Sequence, residues 1–162
     1  GESATELAEV KIDLPVDAHI PHDYVDGERL RLAAYRAMAE ATSEADVEAV
    51  RDELVDRYGP MPEPAANLLE VAKLRVFLRP YVIWEVVLQG NHIRFAPIFL
   101  RESQALRLQR LYPKSILKTA TNTLLVPAPK TAPLGGRPLR DQELLKWCTD
   151  LVEALFLADP VR

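Results

Sequence analysis

The chain has 162 residues, a length typical of one globular domain with its own core. Hydrophobic residues make up 48% and charged residues 27%, the composition of a soluble globular protein, and no apolar run reaches the ~20 residues of a membrane span. A single cysteine, Cys148, excludes an internal disulfide and fits a reducing compartment, so we expect a cytoplasmic protein with Cys148 as a small buried residue.

The net charge of −4 hides an asymmetry along the chain. Residues 1–70 contain 17 Asp and Glu against 6 Lys and Arg, whereas residues 71–162 contain 7 against 14. Such a difference is typical of two surfaces with different partners, or of two halves that attract each other. Solvated helix faces of unequal charge would give the same counts, so the asymmetry by itself does not decide the function.

The N-terminal segment is predicted to be extended. Residues 10–14 alternate apolar and polar side chains and precede Pro15, which predicts a strand. Pro15 and Pro21 disfavour a helix between them. We therefore predict an extended lead-in over residues 1–24, followed by one domain over residues 25–162.

The first helix is predicted to begin at Asp26, a good N-cap, and to run to about Ala41. One stripe of this helix carries small and apolar residues, namely Leu30, Ala33, Ala34, Ala37, Met38 and Ala41. The small alanines predict the close approach of a neighbouring helix.

The second helix is predicted from the capping-box-like pair Ser43 and Asp46 to Gly59, which favours a left-handed turn before Pro60. Its buried stripe is predicted to consist of Val47, Val50, Leu54 and Tyr58.

An acidic face is predicted on the other side of this helix. At about 100° per residue, Asp52, Glu53 and Asp56 point away from the buried stripe. Such a face is either a solvated surface or a docking site for arginines, which bind carboxylates bidentately. Composition alone favours solvation.

A third helix is predicted to start near Pro62 or Pro64 and to end at Pro80, with apolar residues on more than one face, as in a central helix. The remaining elements alternate short apolar runs with turn signals such as Gly90. They are a hairpin of residues 81–88 and 93–95, a helix over 102–112, a second hairpin of residues 115–118 and 124–126, a loop over 127–138 and a final helix over 141–157. This order predicts an α+β fold in which N-terminal helices pack with antiparallel β-hairpins and a C-terminal helix.

No motif for catalysis, a metal or a cofactor is present. The chain lacks a glycine-rich phosphate loop, and His19 and His22 have no third ligand nearby in the sequence. Cys148 lies within a predicted helix with no glycine turn to expose it, which disfavours a nucleophilic pair with His92. We therefore predict no catalytic residues, no metal site and no cofactor.

A basic segment over residues 101–118 has two interpretations. It is either a nucleic-acid contact, with Tyr112 for base stacking, or an amphipathic helix with its cations in water. The candidate contacts are Arg101, Arg107, Arg110, Lys114 and Lys118. In the second interpretation Leu106, Leu108 and Leu111 are buried. The pI of about 5.4 for the whole chain favours the second interpretation.

Separated motifs over residues 10–79 resemble the C-terminal domain of bacterial transcription-repair coupling factors. In chain order they are VKIDLP at 10–15, AHIP at 18–21, DYV at 23–25, RL at 29–30, YR at 35–36, ELVDRYGP at 53–60, NLL at 67–69 and LR at 74–75. Beyond residue 79 the order of the elements fits the family, but no diagnostic residues match.

The resemblance implies a non-catalytic, autoinhibitory domain of an ATP-dependent DNA translocase that displaces stalled RNA polymerase. Such a domain docks within the same protein on a module similar to excinuclease B and masks the surface that binds excinuclease A. The family's Glu-x-x-Asp-Arg motif, whose acidic residues face arginines of that module, matches Glu53, Asp56 and Arg57 here. The resemblance thus implies partner docking by Glu53 and Asp56, and the predicted acidic face adds Asp52 to this site. We expect no membrane partner and no small-molecule substrate. The alternative is a nucleic-acid-binding accessory domain that uses residues 101–118.

Overall fold

The computed structural model describes residues 9–156, which form helices and one mixed sheet. The helices are α1 (Glu28–Ala39), α2 (Glu44–Tyr58), α3 (Glu63–Leu78), α4 (Glu102–Leu111) and α5 (Asp141–Phe156), with a 3₁₀ turn at Arg79–Tyr81. The strands are β1 (Lys11–Asp13), β2 (Glu85–Gln89), β3 (His92–Ala96), β4 (Ile116–Lys118) and β5 (Thr123–Pro127). The predicted α+β class is confirmed. No helix in the described part of the chain is long and apolar enough to cross a membrane.

The chain forms two compact units. The helical unit, Val16–Phe77, contains α1, α2 and nearly all of α3. The sheet unit combines the described residues of Gly1–Pro15 and Leu78–Arg162, and contains the five strands with α4 and α5. The boundary that we predict between residues 24 and 25 stays a prediction.

One apolar cluster forms the core of the helical unit. From the predicted stripe of α2, Val47 and Leu54 are only 0% and 5% exposed, while Val50 and Tyr58 are half-buried against the same cluster. The other buried residues of the cluster come from the lead-in, from α1 and the residues just after it, and from α3. They are Ile20, Val25, Ala34, Met38, Ala41, Leu69 and Ala72. The predicted orientation of α2 is therefore confirmed.

Helix α1 differs from its prediction at its start and on one side. The N-cap is Gly27 and makes no side-chain capping bond, so the predicted cap at Asp26 is wrong. Half of the predicted buried stripe, Leu30, Ala33 and Ala37, is exposed. The physical reason is that this row lines a cleft between α1 and α2, where the two helices do not close on each other.

Both ends of α2 are capped at the predicted positions. The Oγ of Ser43 accepts a hydrogen bond from the Asp46 N–H at 3.1 Å. The Oδ2 of Asp46 accepts one from the Thr42 N–H at 3.0 Å, and this bond is the main cause that holds the pKa of Asp46 below its ordinary value. Gly59 has φ +88° and donates its N–H to the Val55 carbonyl at 2.9 Å. These caps fix where α2 begins and ends.

Hydrogen bonds tie the lead-in residues of the helical unit to its helices. The His19 N–H donates to the Pro64 carbonyl at 3.1 Å, and the Ile20 N–H donates to the Tyr35 hydroxyl at 2.9 Å. The buried Asn67 of the NLL motif donates from Nδ2 to the Asp17 carbonyl at 3.0 Å. The backbone of residues 17–20 is therefore anchored. Residues 22–24 form a turn, and residues 1–8 of the predicted lead-in lie outside the described residues.

The sheet has the strand order β1-β2-β3-β5-β4. The predicted hairpins β2–β3 and β4–β5 are antiparallel, but β1 pairs parallel to β2, with Ile12 opposite Val86. The sequence indicated antiparallel pairing throughout. A parallel neighbour needs a long connection, and here the whole helical unit lies between β1 and β2 in the chain. The predicted strand at residues 81–84 is also wrong, because the 3₁₀ turn and a left-handed Val82 (φ 60°) delay β2 to Glu85.

Helix α5 packs its predicted inner face in the sheet unit. Leu144, Leu151 and Leu155 are buried, and Trp147 lies 6.2 Å from Phe95 between ring centroids. Cys148 is buried as predicted, and burial raises the pKa of its thiol to about 12. The thiol is therefore protonated and unreactive at neutral pH.

Ion pairs connect α2 to α3. Lys73 of α3 forms a hydrogen-bonded ion pair with Glu48, and its Nζ lies 3.6 Å from Glu70 Oε2. Arg51 of α2 contacts the same two carboxylates at 3.4 and 3.6 Å. The bond to Lys73 is the main cause that lowers the pKa of Glu48, and the same bond raises the pKa of Lys73.

Replacing Lys73 with Met is expected to lower the free energy of unfolding by about 1 kcal/mol at neutral pH, since a partly buried network loses its shared cation. Because the pKa of Glu48 is lowered in the folded state, the stabilisation is complete above the ordinary pKa of 4.5. It is lost as pH falls through the lowered pKa. Because the pKa of Lys73 is raised in the folded state, the stabilisation is complete below the ordinary pKa of 10.5 and is lost as pH rises through the raised pKa. Urea unfolding should therefore show a Lys73→Met penalty that is largest between these two ordinary pKa values and shrinks as pH falls through the lowered pKa of Glu48.

The matched control is Lys146→Met, which removes an exposed pair with Asp150 and should change stability by less than ~0.5 kcal/mol. A Lys73→Met penalty that does not change with pH, or that equals the control, contradicts the assignment of the network.

Candidate docking surface on helix α2

The acidic face of α2 is exposed as predicted. Asp52, Glu53 and Asp56 all lie on the solvent side, while Leu54 between them is buried in the core. The Oε2 of Glu53 lies 3.6 Å from Nη1 of Arg57, and both side chains are more than half exposed. Within residues 9–156, Asp52 and Asp56 make no ion pair. The three carboxylates are therefore exposed to solvent and accessible to a partner.

The carboxylates of α2 divide into two groups with different surroundings. Glu44 and Glu48 lie on the side that faces α3, within 4.0 Å of the Lys73 ammonium. Asp52 and Asp56 lie outside this network. On the other side, Arg57 pairs with Glu53 alone among the described carboxylates, so the negative charge of Asp52 and Asp56 is available to cations from outside the helical unit.

Aromatic packing holds the C-terminal end of α2 in place. The Tyr24 hydroxyl donates to the Gly59 carbonyl at 2.8 Å, and the Tyr24 and Tyr58 rings meet edge to face at 5.8 Å. The guanidinium of Arg57 lies 5.9 Å from the centre of the Tyr58 ring. The ELVDRYGP motif thus combines exposed carboxylates with residues that fix the end of the helix on which they lie.

A shallow apolar cleft borders the acidic face and was not predicted from the sequence. It has a volume of about 80 Å³ and lies between α1 and α2. Its lining residues are Leu30, Ala33, Ala34, Ala37, Val50, Glu53, Leu54, Arg57 and Tyr58. The row of alanines on α1 was the one sequence signal for this cleft. Small residues occur both where two helices pack closely and along open clefts, so the pattern alone could not show which of these two arrangements forms.

The basic segment does not form the predicted amphipathic helix in full. Leu108 is buried, but Leu106 and Leu111 are 61% and 45% exposed, so their predicted burial is wrong. Helix α4 contacts the rest of the sheet unit over a narrow face, where Gln104 is buried beside Leu108. The Oε1 of Gln104 accepts the Arg101 N–H at 2.7 Å and closes the first turn of the helix.

The candidate nucleic-acid contacts are divided between structural and exposed positions. Arg107 donates from Nη1 to the Ala154 and Leu155 carbonyls at 3.1 and 3.0 Å, so its charge lies at the last turn of α5. Tyr112 is half-buried and packs edge to face on Trp147 at 6.4 Å; burial is the main cause that raises its pKa. Tyr112 is therefore not free to stack on a base. The residues Arg110, Lys114 and Lys118 are exposed.

The histidines considered as metal ligands from the sequence are His19 and His22. His19 Nδ1 lies 3.0 Å from Asp17 Oδ1, and both side chains are about half exposed. Over the described residues, no group of three or more His, Cys, Asp or Glu side chains is arranged to hold a metal ion.

Comparison with known proteins identifies the family. The family model of the TRCF domain matches residues 14–108, and the transcription-repair-coupling factor of Mycobacterium tuberculosis (strain CDC 1551 / Oshkosh) is 45% identical over 154 residues. The chain belongs to the TRCF domain family. The Escherichia coli (strain K12) transcription-repair-coupling factor is 34% identical over 67 residues, which are 41% of this chain and 6% of that protein.

The TRCF domain of this chain corresponds to a small part of these relatives. The mycobacterial match covers 94% of this chain but 12% of the relative, so the chain spans about an eighth of its length. A crystal structure of the C-terminal domain of a transcription-repair coupling factor superposes with a TM-score of 0.62 at 20% identity, covering 91% of this chain and 94% of that one. This likeness shows that the fold is shared.

Replacing Arg107 with Met is expected to lower the free energy of unfolding by about 1–3 kcal/mol, because two carbonyls at the end of α5 lose a charged donor. Arg110→Met, an exposed arginine on the same helix, serves as the control and should cost less than ~0.5 kcal/mol. Urea unfolding followed by circular dichroism measures both, and equal effects would mean that Arg107 has no special structural role.

Proposed function

We propose that this domain is a non-catalytic, autoinhibitory part of a transcription-repair coupling factor that acts in transcription-coupled nucleotide excision repair. It docks through Asp52, Glu53 and Asp56 on the excinuclease B-like module of the same protein and masks the surface that binds excinuclease A. In this proposal residues 1–24 connect the domain to a preceding ATP-dependent DNA translocase motor. The whole protein works on stalled RNA polymerase in the cytoplasm.

The observation that carries this proposal is the acidic face of α2. Its carboxylates are exposed on a helix whose other sides are buried or already paired with Lys73. By resemblance, Glu53 and Asp56 match the acidic residues of the family's Glu-x-x-Asp-Arg motif, which supports docking at these positions. Family membership supports the same role.

The geometry supports docking by arginines in particular. Glu53 and Asp56 are one helical turn apart, so their carboxylates reach outward side by side. Each is able to accept a bidentate guanidinium, and contact with a protein surface strengthens the pair by removing water. The cleft beside Glu53 offers apolar area to the same partner. Charge would then set the register of the contact, and burial of apolar surface would add affinity.

Regulation follows from a shift between two populations. In the docked state the excinuclease A site is covered, and in the open state it is accessible. Polymerase or DNA bound elsewhere in the protein favours the open state only to the extent that it binds this state more tightly. A docking contact of a few kcal/mol would keep the closed state dominant and still allow a ligand to open it.

Replacing both Glu53 and Asp56 with Ala in the full-length protein is expected to release the inhibition. Loss of the acidic partners of buried arginines should weaken docking by ~2–5 kcal/mol, whereas unfolding of the isolated domain should change by less than ~0.5 kcal/mol. The measurements are the affinity for excinuclease A and the basal ATPase rate without stalled polymerase, and both should rise.

The matched control is the double change Asp150→Ala and Glu153→Ala. These exposed carboxylates are also three residues apart on a helix, and Asp150 pairs with Lys146 as Glu53 pairs with Arg57. The control should stay inhibited. A Glu53→Ala and Asp56→Ala protein as inhibited as the wild type would show that the acidic face is only solvated. Restoration by Glu53→Arg and Asp56→Arg, combined with acidic residues at the partner arginines, would support a direct contact.

A second candidate function, a nucleic-acid-binding accessory domain, has one favourable observation. Seven Lys and Arg and no Asp or Glu occur over residues 103–140, and Arg110, Lys114 and Lys118 are exposed. The structural use of Arg107 and the packing of Tyr112 remove two of the expected contacts.

If this surface binds DNA, replacing Arg110, Lys114 and Lys118 together with Ala should reduce the affinity of the 162-residue chain for duplex DNA. The slope of log K against log salt should become shallower by about 0.9 for each phosphate that the variant no longer neutralises. A mobility-shift series from about 50 to 200 mM salt measures this. No binding at the lowest salt, or an unchanged slope in the variant, excludes the surface.

A further inference from the structure

The loop between β5 and α5 is closed at its base by backbone hydrogen bonds. The Thr131 N–H donates to the Arg137 carbonyl at 2.9 Å, and the Leu139 N–H donates to the Pro129 carbonyl at 3.0 Å. The Arg137 N–H also donates to the Thr131 hydroxyl at 3.1 Å. The two sides of the loop are therefore paired as in a short hairpin, and the five residues 132–136 form its tip.

The tip presents Leu134 to solvent on a constrained backbone. Gly136 lies so close to Ala132 that a Cβ on this glycine would be 2.3 Å from the Ala132 nitrogen. Gly135 has φ +74°, a conformation that favours glycine. Leu134 between these constraints and Pro133 is 92% exposed, the most exposed of the large apolar side chains described. A leucine held out in this way contributes nothing to the core and is placed to enter a pocket of another molecule.

The helical unit contains a pocket of suitable chemistry. The cleft between α1 and α2 is lined by Leu30, Ala33, Ala37 and Val50, with the ion pair of Glu53 and Arg57 at its edge. A closed apolar cavity of ~150 Å³ holds benzene, so the cleft volume of about 80 Å³ is on the scale of one aliphatic side chain.

Charge favours the meeting of these two surfaces. Residues 103–140, which include the loop, carry seven cations and no carboxylate. Arg137 and Arg140 pair with Glu143 and Asp141 just beyond this stretch. The exposed cations outside those pairs are Arg110, Lys114, Lys118 and Lys130. Val16–Phe77 carry 13 Asp and Glu against 7 Lys and Arg. A second copy of the chain thus offers an acidic surface with an apolar cleft to a basic surface with an exposed leucine.

We propose that the chain self-associates head to tail, with Leu134 of one copy inserted in the α1–α2 cleft of the next. The two surfaces differ, so the contact is heterologous and each added copy leaves one loop and one cleft free. Burial of one leucine with attraction between opposite charges gives a weak contact, and we expect a dissociation constant on the order of 1 mM. This inference does not rest on the autoinhibitory role, but the two compete for the same cleft, which the proposed function assigns to the partner module.

The loop is less suited to nucleic acid. Arg137 Nη2 lies 3.5 Å from Glu143 Oε1, and Arg140 Nε lies 3.2 Å from Asp141 Oδ2, so two of the loop's three cations already face carboxylates. A leucine inserted between stacked bases also has to offset the cost of unstacking, whereas an open apolar cleft has no such cost.

The test uses sedimentation equilibrium of the 162-residue chain at low salt, up to about 1 mM. The wild type should show a mass that rises above 18.2 kDa with concentration. Leu134→Ser should stay monomeric, with association weakened at least about tenfold by loss of the buried leucine. Ala33→Phe, which fills the cleft, should do the same. Both positions are exposed, so circular dichroism and melting should be unchanged, and Ala37→Phe replaces Ala33→Phe if the latter perturbs the fold.

Mixing the two variants tests the head-to-tail geometry. Leu134→Ser keeps its cleft and Ala33→Phe keeps its loop, so an equimolar mixture should form a one-to-one dimer and stop there. The control is Leu106→Ser, which removes another exposed leucine from the same acid-free stretch and should associate like the wild type.

Several results would overturn the proposal. They are a wild type that stays monomeric at about 1 mM, association that survives Leu134→Ser, an equal loss in Leu106→Ser, or no dimer in the mixture. A chain that is monomeric alone, yet binds the excinuclease B-like module through the cleft, would assign the cleft to that module and support only the autoinhibitory role. Binding of duplex DNA that depends on Leu134 would instead assign the loop to nucleic acid.

Discussion

Burial of Val47 and Leu54 in the core of the helical unit sets the rotation of α2, and the exposed chemistry of this helix depends on that rotation. With these two side chains inside, the helical repeat places Glu48 towards Lys73 and leaves Asp52 and Asp56 in solvent. Turning the helix by one residue would bury a carboxylate without a partner, at a cost well above that of any surface contact. The acidic face is thus a consequence of core packing and is held as firmly as the core itself.

The caps give this face its position along the helix axis. Ser43 and Asp46 fix the first turn, and Gly59, held by the Tyr24 hydroxyl, fixes the last. A docking surface made of few charges depends on such pre-organisation, because each long side chain ordered on binding loses conformational entropy. In the ELVDRYGP segment, the residues that end the helix therefore also determine where the exposed carboxylates lie.

The two units use their cations in different ways. In the helical unit, Lys73 and Arg51 are occupied with carboxylates of α2 and α3. In the sheet unit, Arg107 serves the carbonyls at the end of α5, whereas Arg110 on the same helix is exposed. A count of charges over residues 101–118 treats these arginines as equal. Only the contacts of each arginine show whether it caps a helix or is free to bind a ligand. The structural role of Arg107 therefore weakens the nucleic-acid interpretation more than the acidic pI does.

Much of the helical unit was determined by the sequence alone, because its signals are local. The spacing of Val47 and Leu54, the cap at Ser43 and the turn at Gly59 each act within one or two helical turns, and together they predicted α2 and its exposed carboxylates. The hairpin turn at Gly90 was predictable for the same reason. The tertiary structure decided what depends on distant partners. The parallel pairing of β1 needs β2, some seventy residues later in the chain. The exposure of Leu30 and Ala33 depends on how closely α2 approaches α1, and the role of Arg107 depends on where α5 ends. Periodicity along one segment carries no information about such distances, so these features could be established only from the folded chain.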